Sequence, residues 1–173
     1  MAGMRVGVLT ISDKGSRGER IDSSGAAIRE LLGQAGSVVV RYEIVPDERD
    51  LIAARLLQWV DGAEIDVVLT TGGTGLSSRD VTPEATLTVL DYEVPGIMEA
   101  LRAEGLKHTP MSMLSRAVAG VRGRTLIVNL PGSERAVRQN LNVLLAVLPH
   151  AVETLRDRSG NHVASDASTT SGE

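Results

Sequence analysis

The densest chemistry in this 173-residue chain lies at Thr70-Thr71-Gly72-Gly73-Thr74-Gly75, followed by Ser77, Ser78, Arg79, Asp80, Val81, Thr82 and Pro83. A β-branched run enters a Gly-rich turn there. Glycine lets backbone N–H groups come close to a phosphate, and successive N–H groups form an anion-binding nest. Neither common nucleotide loop fits the spacing. A Walker-type loop needs a Lys after the glycines, and none follows. The GxGxxG fingerprint is broken at Ser78, and no helix pattern opens directly after the turn. By itself the stretch is also compatible with a plain strand-to-helix turn.

Two carboxylates add a second kind of chemistry. Asp80 stands a few residues past the turn, just before Thr82-Pro83, and Asp47 follows a strand pattern in Val45-Pro46-Asp47-Glu48. Each has an ordinary alternative as a helix N-cap, the position that favours Asp. In a parallel sheet, however, the carboxyl ends of the strands converge on one rim, where ligands bind. Two carboxylates on that rim beside a Gly-rich loop make a site for Mg²⁺ and phosphate.

Three further loops are expected on the same rim: Ser12-Asp13-Lys14-Gly15, Asp22-Ser23-Ser24-Gly25 and Asn129-Leu130-Pro131-Gly132-Ser133. The last opens a helix, and helix N-termini attract phosphate. Ser115 and Arg116 are further phosphate candidates. His108, His150 and His162 have no metal-ligand spacing, and His162 lies near the chain end.

The elements that must hold these loops follow from periodicity. Short β-branched runs alternate with helical patterns, which argues for a parallel sheet flanked by helices. Strands are expected over Val6–Ile11, Val38–Val45, Asp66–Thr71, Ala117–Val121 and Thr125–Leu130, the last two as a hairpin around Arg122-Gly123-Arg124. Helical faces run through Ile28, Leu31 and Leu32, and through Ile52, Leu56, Trp59 and Val60. Further helices are expected from Pro83 to about Leu90 and from Gly96 to about Glu104. A final long helix, capped by Ser133, carries Val137, Leu141, Leu144, Leu145 and Leu148 on one stripe. The expected organisation is one domain over residues 1–157 and a disordered tail over 158–173, which is Ser/Thr/Gly/Asp-rich.

Composition excludes several functions. There is no cysteine, hence no disulfide framework, thiolate metal site or cysteine nucleophile. The formal net charge of -4 offers no basic footprint for nucleic acid. Aromatics are limited to Tyr42, Trp59 and Tyr92, too few for base-stacking recognition of single strands. No apolar run reaches the about 18 residues of a membrane span, and the N-terminal run reads as a first strand and not as a signal peptide. A cytoplasmic protein is expected.

The ordered set of motifs resembles the MogA/MoaB-like molybdopterin-binding family. The matching segments are Val8–Asp13, Asp22–Gly25, Val45–Glu48, Thr70–Gly75, Arg79–Glu84, Leu114–Arg116 and Asn129–Ser133, together spanning about residues 4 to 155. The TTGGTG…RDVTPEAT block is the specific part. The resemblance implies a three-layer α/β/α sandwich with a mostly parallel central sheet, assembled as a homotrimer. It implies molybdenum cofactor biosynthesis: transfer of AMP from ATP, with Mg²⁺, to the terminal phosphate of molybdopterin. By motif position, Asp47 and Asp80 correspond to the family's catalytic, metal-associated carboxylates. Ser12, Ser24, Gly25, Thr71, Gly72, Gly73, Thr74, Gly75, Ser115, Pro131, Gly132 and Ser133 correspond to its pterin and nucleotide contacts. A downstream metal-insertion protein is an implied partner. A non-catalytic binding or scaffold module of the same fold is the alternative, because fold alone does not fix activity.

Overall fold

The computed structural model describes residues 3–62 and 64–161. The β-branched runs become β1 (Arg5–Ile11), β2 (Val38–Val45), β3 (Val67–Thr71), β4 (Tyr92–Glu93), β5 (Ala119–Arg122) and β6 (Thr125–Leu130). They form one sheet in the order β2-β1-β3-β6-β5-β4. The strands β2, β1, β3 and β6 run parallel, while β5 and β4 add antiparallel at one edge. The carboxyl ends of the four parallel strands therefore share one rim.

Among the described residues seven α-helices cover the sheet: α1 (Asp13–Ser16), α2 (Ser23–Gln34), α3 (Arg49–Gly62), α4 (Thr82–Leu87), α5 (Pro95–Leu106), α6 (Glu134–Leu145) and α7 (Leu148–Asn161). Side-chain alternation along the strands sends residues to two cores. Val6, Val8, Leu69, Leu126 and Val128 pack with Ile28 of α2, Leu101 of α5, Leu141 of α6 and Val152 of α7. Leu9, Ile11, Val68 and Ile127 pack on the other face with Ile52, Leu56 and Trp59 of α3 and Val89 beyond α4. Strands buried on both faces explain why these runs are almost wholly apolar. The expected three-layer α/β/α sandwich is the observed architecture.

Three local expectations change. The loop after β1 contains the short helix α1, capped by Ser12, whose Oγ accepts the Gly15 N–H at 3.0 Å. Tyr92–Glu93 forms the edge strand β4 opposite Val121 and Gly120, in a region without readable periodicity. The expected final helix is two: α6 ends at Leu145 and α7 starts at Leu148. Pro149 is the cause, since it has no N–H for the carbonyl one turn earlier and its ring clashes with that turn. Leu148 still reaches the same core as Leu141 and Leu144. Helix α7 continues to Asn161, four residues into the segment expected as a tail; residues 162–173 of that expectation lie outside the described residues.

Candidate active site

The four parallel strand ends deliver their loops to one cleft of about 320 Å³. It is lined by Thr10, Ser12, Asp22, Ser24, Asp47, Thr71, Gly72, Gly73, Asp80, Gly132 and Ser133, with Arg20 and Ile21 also among the lining residues. Both expected carboxylates are therefore in one place, although they are separated by a strand and a helix in sequence. Most of the other expected contacts join them.

The Gly-rich turn explains how the carboxylates come so close. Gly72 and Gly73 have φ of 97° and 64°, the left-handed region that costs other residues strain. A Cβ on Gly72 would stand 2.3 Å from the Ile11 carbonyl oxygen. One on Gly73 would stand 2.3 Å from Thr82 Oγ1 and 3.1 Å from Asp47 Oδ1, and one on Gly75 would stand 2.9 Å from Asp80 Oδ2. The turn is thus bare where the two carboxylates pack against it. Thr82 Oγ1 donates to the Gly72 carbonyl at 2.9 Å, and Thr71 Oγ1 donates to the Pro131 carbonyl at 2.7 Å. These bonds tie the turn to α4 and to the loop after β6.

Neither carboxylate serves as the ordinary helix cap. The N-cap of α4 is Val81, without a side-chain bond, and Asp80 Oδ2 instead accepts the Ser77 N–H at 2.9 Å. Asp47 Oδ2 accepts the Asp13 N–H at 2.8 Å, across to α1, while the Asp47 N–H donates to Asp13 Oδ1 at 3.0 Å. Arg79 grips the same Asp13 with two bonds of 3.0 and 2.8 Å. The guanidinium holds the Asp13 carboxyl below the usual carboxylate range. Burial pushes Asp47 the other way, above that range, and the negative charges of Asp13 and Asp80 add to the rise.

Those facts bear on Mg²⁺. Asp47 is half-buried next to two like charges, so its ionised form is held at a cost that a cation relieves. Among the described residues no group of three or more His, Cys, Asp or Glu gathers as a metal cluster. A hard cation that keeps water and substrate phosphate oxygens needs only one or two protein carboxylates. The donor set of Asp47 and Asp80 fits Mg²⁺ on these terms.

Five expected contacts lie elsewhere. Thr74, Gly75, Ser115 and Pro131 line a second cavity of about 420 Å³, between the Gly-rich turn, α5 and α6, whose walls include Leu76, Met98 and Leu101. Ser133 lines both cavities. Gly25 lines neither; its N–H donates to Asp22 Oδ1 at 2.9 Å, and a Cβ there would stand 2.1 Å from Asp22 Oδ2. Arg116, read as a phosphate candidate, is spent on the loop. It donates to the carbonyls of Gly75 at 2.7 Å and Asp80 at 2.6 Å and pairs with Glu84.

Residues outside the expected set also shape the site. Asp22 lines the cleft, and Asp13 and Arg79 frame Asp47. Fully buried Asn129 donates to Thr70 Oγ1 at 2.9 Å and Thr86 Oγ1 at 3.0 Å, and accepts the Val118 N–H at 3.2 Å. That knot joins β3, β6, α4 and the start of β5 behind the Gly-rich turn. A lone Asn inside the apolar run Leu126-Ile127-Val128-Asn129-Leu130 was the available signal, since a buried polar group requires partners.

A mostly parallel sheet flanked by helices, with two carboxylates and a Gly-rich turn gathered at its strand ends, places the chain among the open-sheet α/β proteins, whose ligands bind at that rim. Residues 7–150 match the family model described as "Probable molybdopterin binding domain", and the chain belongs to that family. It is 42% identical over 157 residues to the molybdopterin adenylyltransferase of Helicobacter pylori, covering 90% of this chain and 89% of that protein. It is 45% identical over 158 residues to the molybdenum cofactor synthesis protein cinnamon of Drosophila melanogaster, but spans only 26% of that longer protein. The crystal structure of the molybdopterin biosynthesis enzyme MoaB from Thermus thermophilus superposes with a TM-score of 0.83 at 55% identity, covering 88% of this chain and 96% of that one.

Proposed function

We propose that this chain is a molybdopterin adenylyltransferase. A phosphate oxygen of molybdopterin attacks the α-phosphorus of ATP; a new P–O bond forms, the α–β anhydride bond breaks, and pyrophosphate leaves. The observation that carries the reading is the placing of Asp47 and Asp80 against Gly73 and Gly75 in one cleft. The expectation of a nucleotidyltransferase of molybdenum cofactor biosynthesis is borne out by the Helicobacter pylori relative, matched over most of both chains.

Asp47 and Asp80 would hold Mg²⁺, which when bound supplies charge neutralisation on the phosphates. Asp13 and Arg79 fix the attitude of Asp47, and Arg116 fixes the carbonyl side of the Gly-rich loop. The phosphate is itself the nucleophile, so no Ser, Cys or His need attack. The two cavities meeting at Ser133 suit two substrates, one in each, with their phosphates converging on the Gly-rich turn. A binding-only module competes with this reading. Against it stands Asp47, kept beside Asp13 and Asp80 at an electrostatic cost that a binder has no use for.

The same proposal includes a cytoplasmic homotrimer that passes its product to a downstream metal-insertion protein. Among the described residues no helix is long and apolar enough to cross a membrane. Leu106, Met111, Met113 and Leu114 are exposed on one stretch of the surface, which supports self-association there.

Incubation with molybdopterin, ATP and Mg²⁺ is expected to yield adenylylated pterin by mass spectrometry, with pyrophosphate released only when the acceptor is present. Rapid formation of ADP without acceptor overturns the proposal.

A further inference from the structure

Six residues with hydroxyls line the carboxylate cleft, Thr10, Ser12, Ser23, Ser24, Thr71 and Ser133. Thr71 gives its proton to the Pro131 carbonyl, and the partners of Thr10, Ser12, Ser24 and Ser133 divide those four into two kinds. A hydroxyl has one proton to give, a backbone N–H can only donate, and an ionised carboxylate can only accept. Ser12 Oγ accepts the Gly15 N–H at 3.0 Å and Ser133 Oγ accepts the Ala136 N–H at 3.3 Å. Each keeps its own proton for an occupant of the cleft. Thr10 Oγ1 and Ser24 Oγ do the reverse, donating to Asp22 at 2.6 and 3.1 Å. They have only lone pairs left to offer.

Asp22 enforces that polarity. Besides Thr10 and Ser24 it accepts from the Tyr42 hydroxyl at 2.7 Å and the Gly25 N–H at 2.9 Å, two donors on each oxygen. Burial pushes its carboxyl up, but these four donors together draw it below the ordinary value, so it stays ionised. Thr10 and Ser24 are 3% and 6% exposed, so bulk water does not supply their missing donors freely. With four donors already on Asp22, its charge is not free for a dehydrated cation, which is better served by Asp47 and Asp80.

We infer that the Thr10–Ser24 side of the cleft is a subsite for the amino edge of a heterocyclic base, while the Ser12–Ser133 side takes phosphate oxygens. The inference rests on the proposed function, which brings two aminated heterocycles to this protein, adenine and the pterin. Both carry an exocyclic NH₂, the chemistry that lone pairs on Thr10 and Ser24 recognise. A phosphate oxygen set against the Thr10 and Ser24 hydroxyls would meet acceptors there.

The test is calorimetric binding of two pairs that differ in that amine: ATP against ITP, and pterin against its 2-oxo counterpart lumazine. The wild-type chain is expected to prefer the amine by about tenfold or more in the pair that occupies this subsite, the usual cost of a mispaired buried polar group. In Asp22→Asn the new amide donates to Thr10, turns its proton into the cleft and removes or inverts that preference. Ser24→Ala deletes one acceptor, leaves Asp22 three donors and weakens the amine partner by about threefold or more. The pair that responds identifies the base. The inference is overturned if the wild-type chain shows no preference in either pair, or if both variants keep the wild-type ratio. A wild-type chain that transfers AMP yet lacks the preference removes this inference alone; one that binds none of the four compounds removes the proposed function with it.

Discussion

Asp13 and Asp47 hold each other by crossed bonds: the Asp13 N–H donates to Asp47 Oδ2 at 2.8 Å, and the Asp47 N–H donates to Asp13 Oδ1 at 3.0 Å. The clasp joins the loop after β1 to the loop after β2. It leaves Asp47 Oδ1 beside Gly73 and presents the Asp13 carboxylate to Arg79.

That relationship predicts a pH effect. Burial and the negative charges of Asp13 and Asp80 hold the Asp47 pKa up, so activity is lost on acidification at a pH above the ordinary range of an aspartate. Asp13→Asn removes one of those charges and frees Arg79, and both changes lower the Asp47 pKa. The acid limb of kcat/KM against pH is expected to move to lower pH in Asp13→Asn. An unmoved limb would disconnect Asp47 from the titration.

Asp47→Asn and Asp80→Asn separate catalysis from folding. Each is expected to reduce AMP transfer by about 10²–10³-fold, the typical loss of one electrostatic stabiliser. A carboxyl whose folded pKa is raised favours the fold when protonated, and that contribution is lost as pH rises through the folded pKa. At neutral pH the charge of Asp47 therefore opposes folding, and Asp47→Asn is expected to raise Tm while abolishing most activity. Full activity in both variants would remove the carboxylates from the mechanism.

Gly72→Ala tests the turn. Its φ of 97° disfavours Ala, and the added Cβ meets the Ile11 carbonyl, a backbone atom that cannot swing aside. A loss of about 1–3 kcal/mol is expected from the strained conformation, read by urea unfolding. Unchanged stability would mean that the turn adopts another path.

Asn129→Ala removes the buried knot behind the site. Val118 N–H loses its acceptor, and Thr70 and Thr86 lose a donor. Such a deletion costs about 1–3 kcal/mol for an unsatisfied buried group. Denaturant unfolding measures it; a neutral result would show that the knot contributes nothing to stability.

Light scattering at micromolar concentration is expected to give a trimer mass. Charged substitutions at Met111 and Met113, both exposed, should shift it toward monomer if that surface is the contact. A monomeric wild-type chain contradicts the assembly.

Local pattern was enough for much of this protein. The short β-branched runs at Val6–Ile11 and Val67–Thr71, helical spacing in Ile52, Leu56 and Trp59, and the Gly-rich motif at 72–75 are properties of neighbouring residues, and the three-layer fold follows from them. The rim was legible too, because parallel strands place their carboxyl ends together whatever loops they carry. Tertiary structure decided what each polar group does. Asp13 with Asp47, Arg79 with Asp13 and Arg116 with Gly75 are bonded across 34, 66 and 41 residues. No spacing rule reaches that far. The split of expected contacts between two cavities, and the direction in which Thr10 and Ser24 donate, depend on which partners close packing brings within hydrogen-bond reach. A hydroxyl's type allows it to give or to accept, and only its neighbours in space choose between the two.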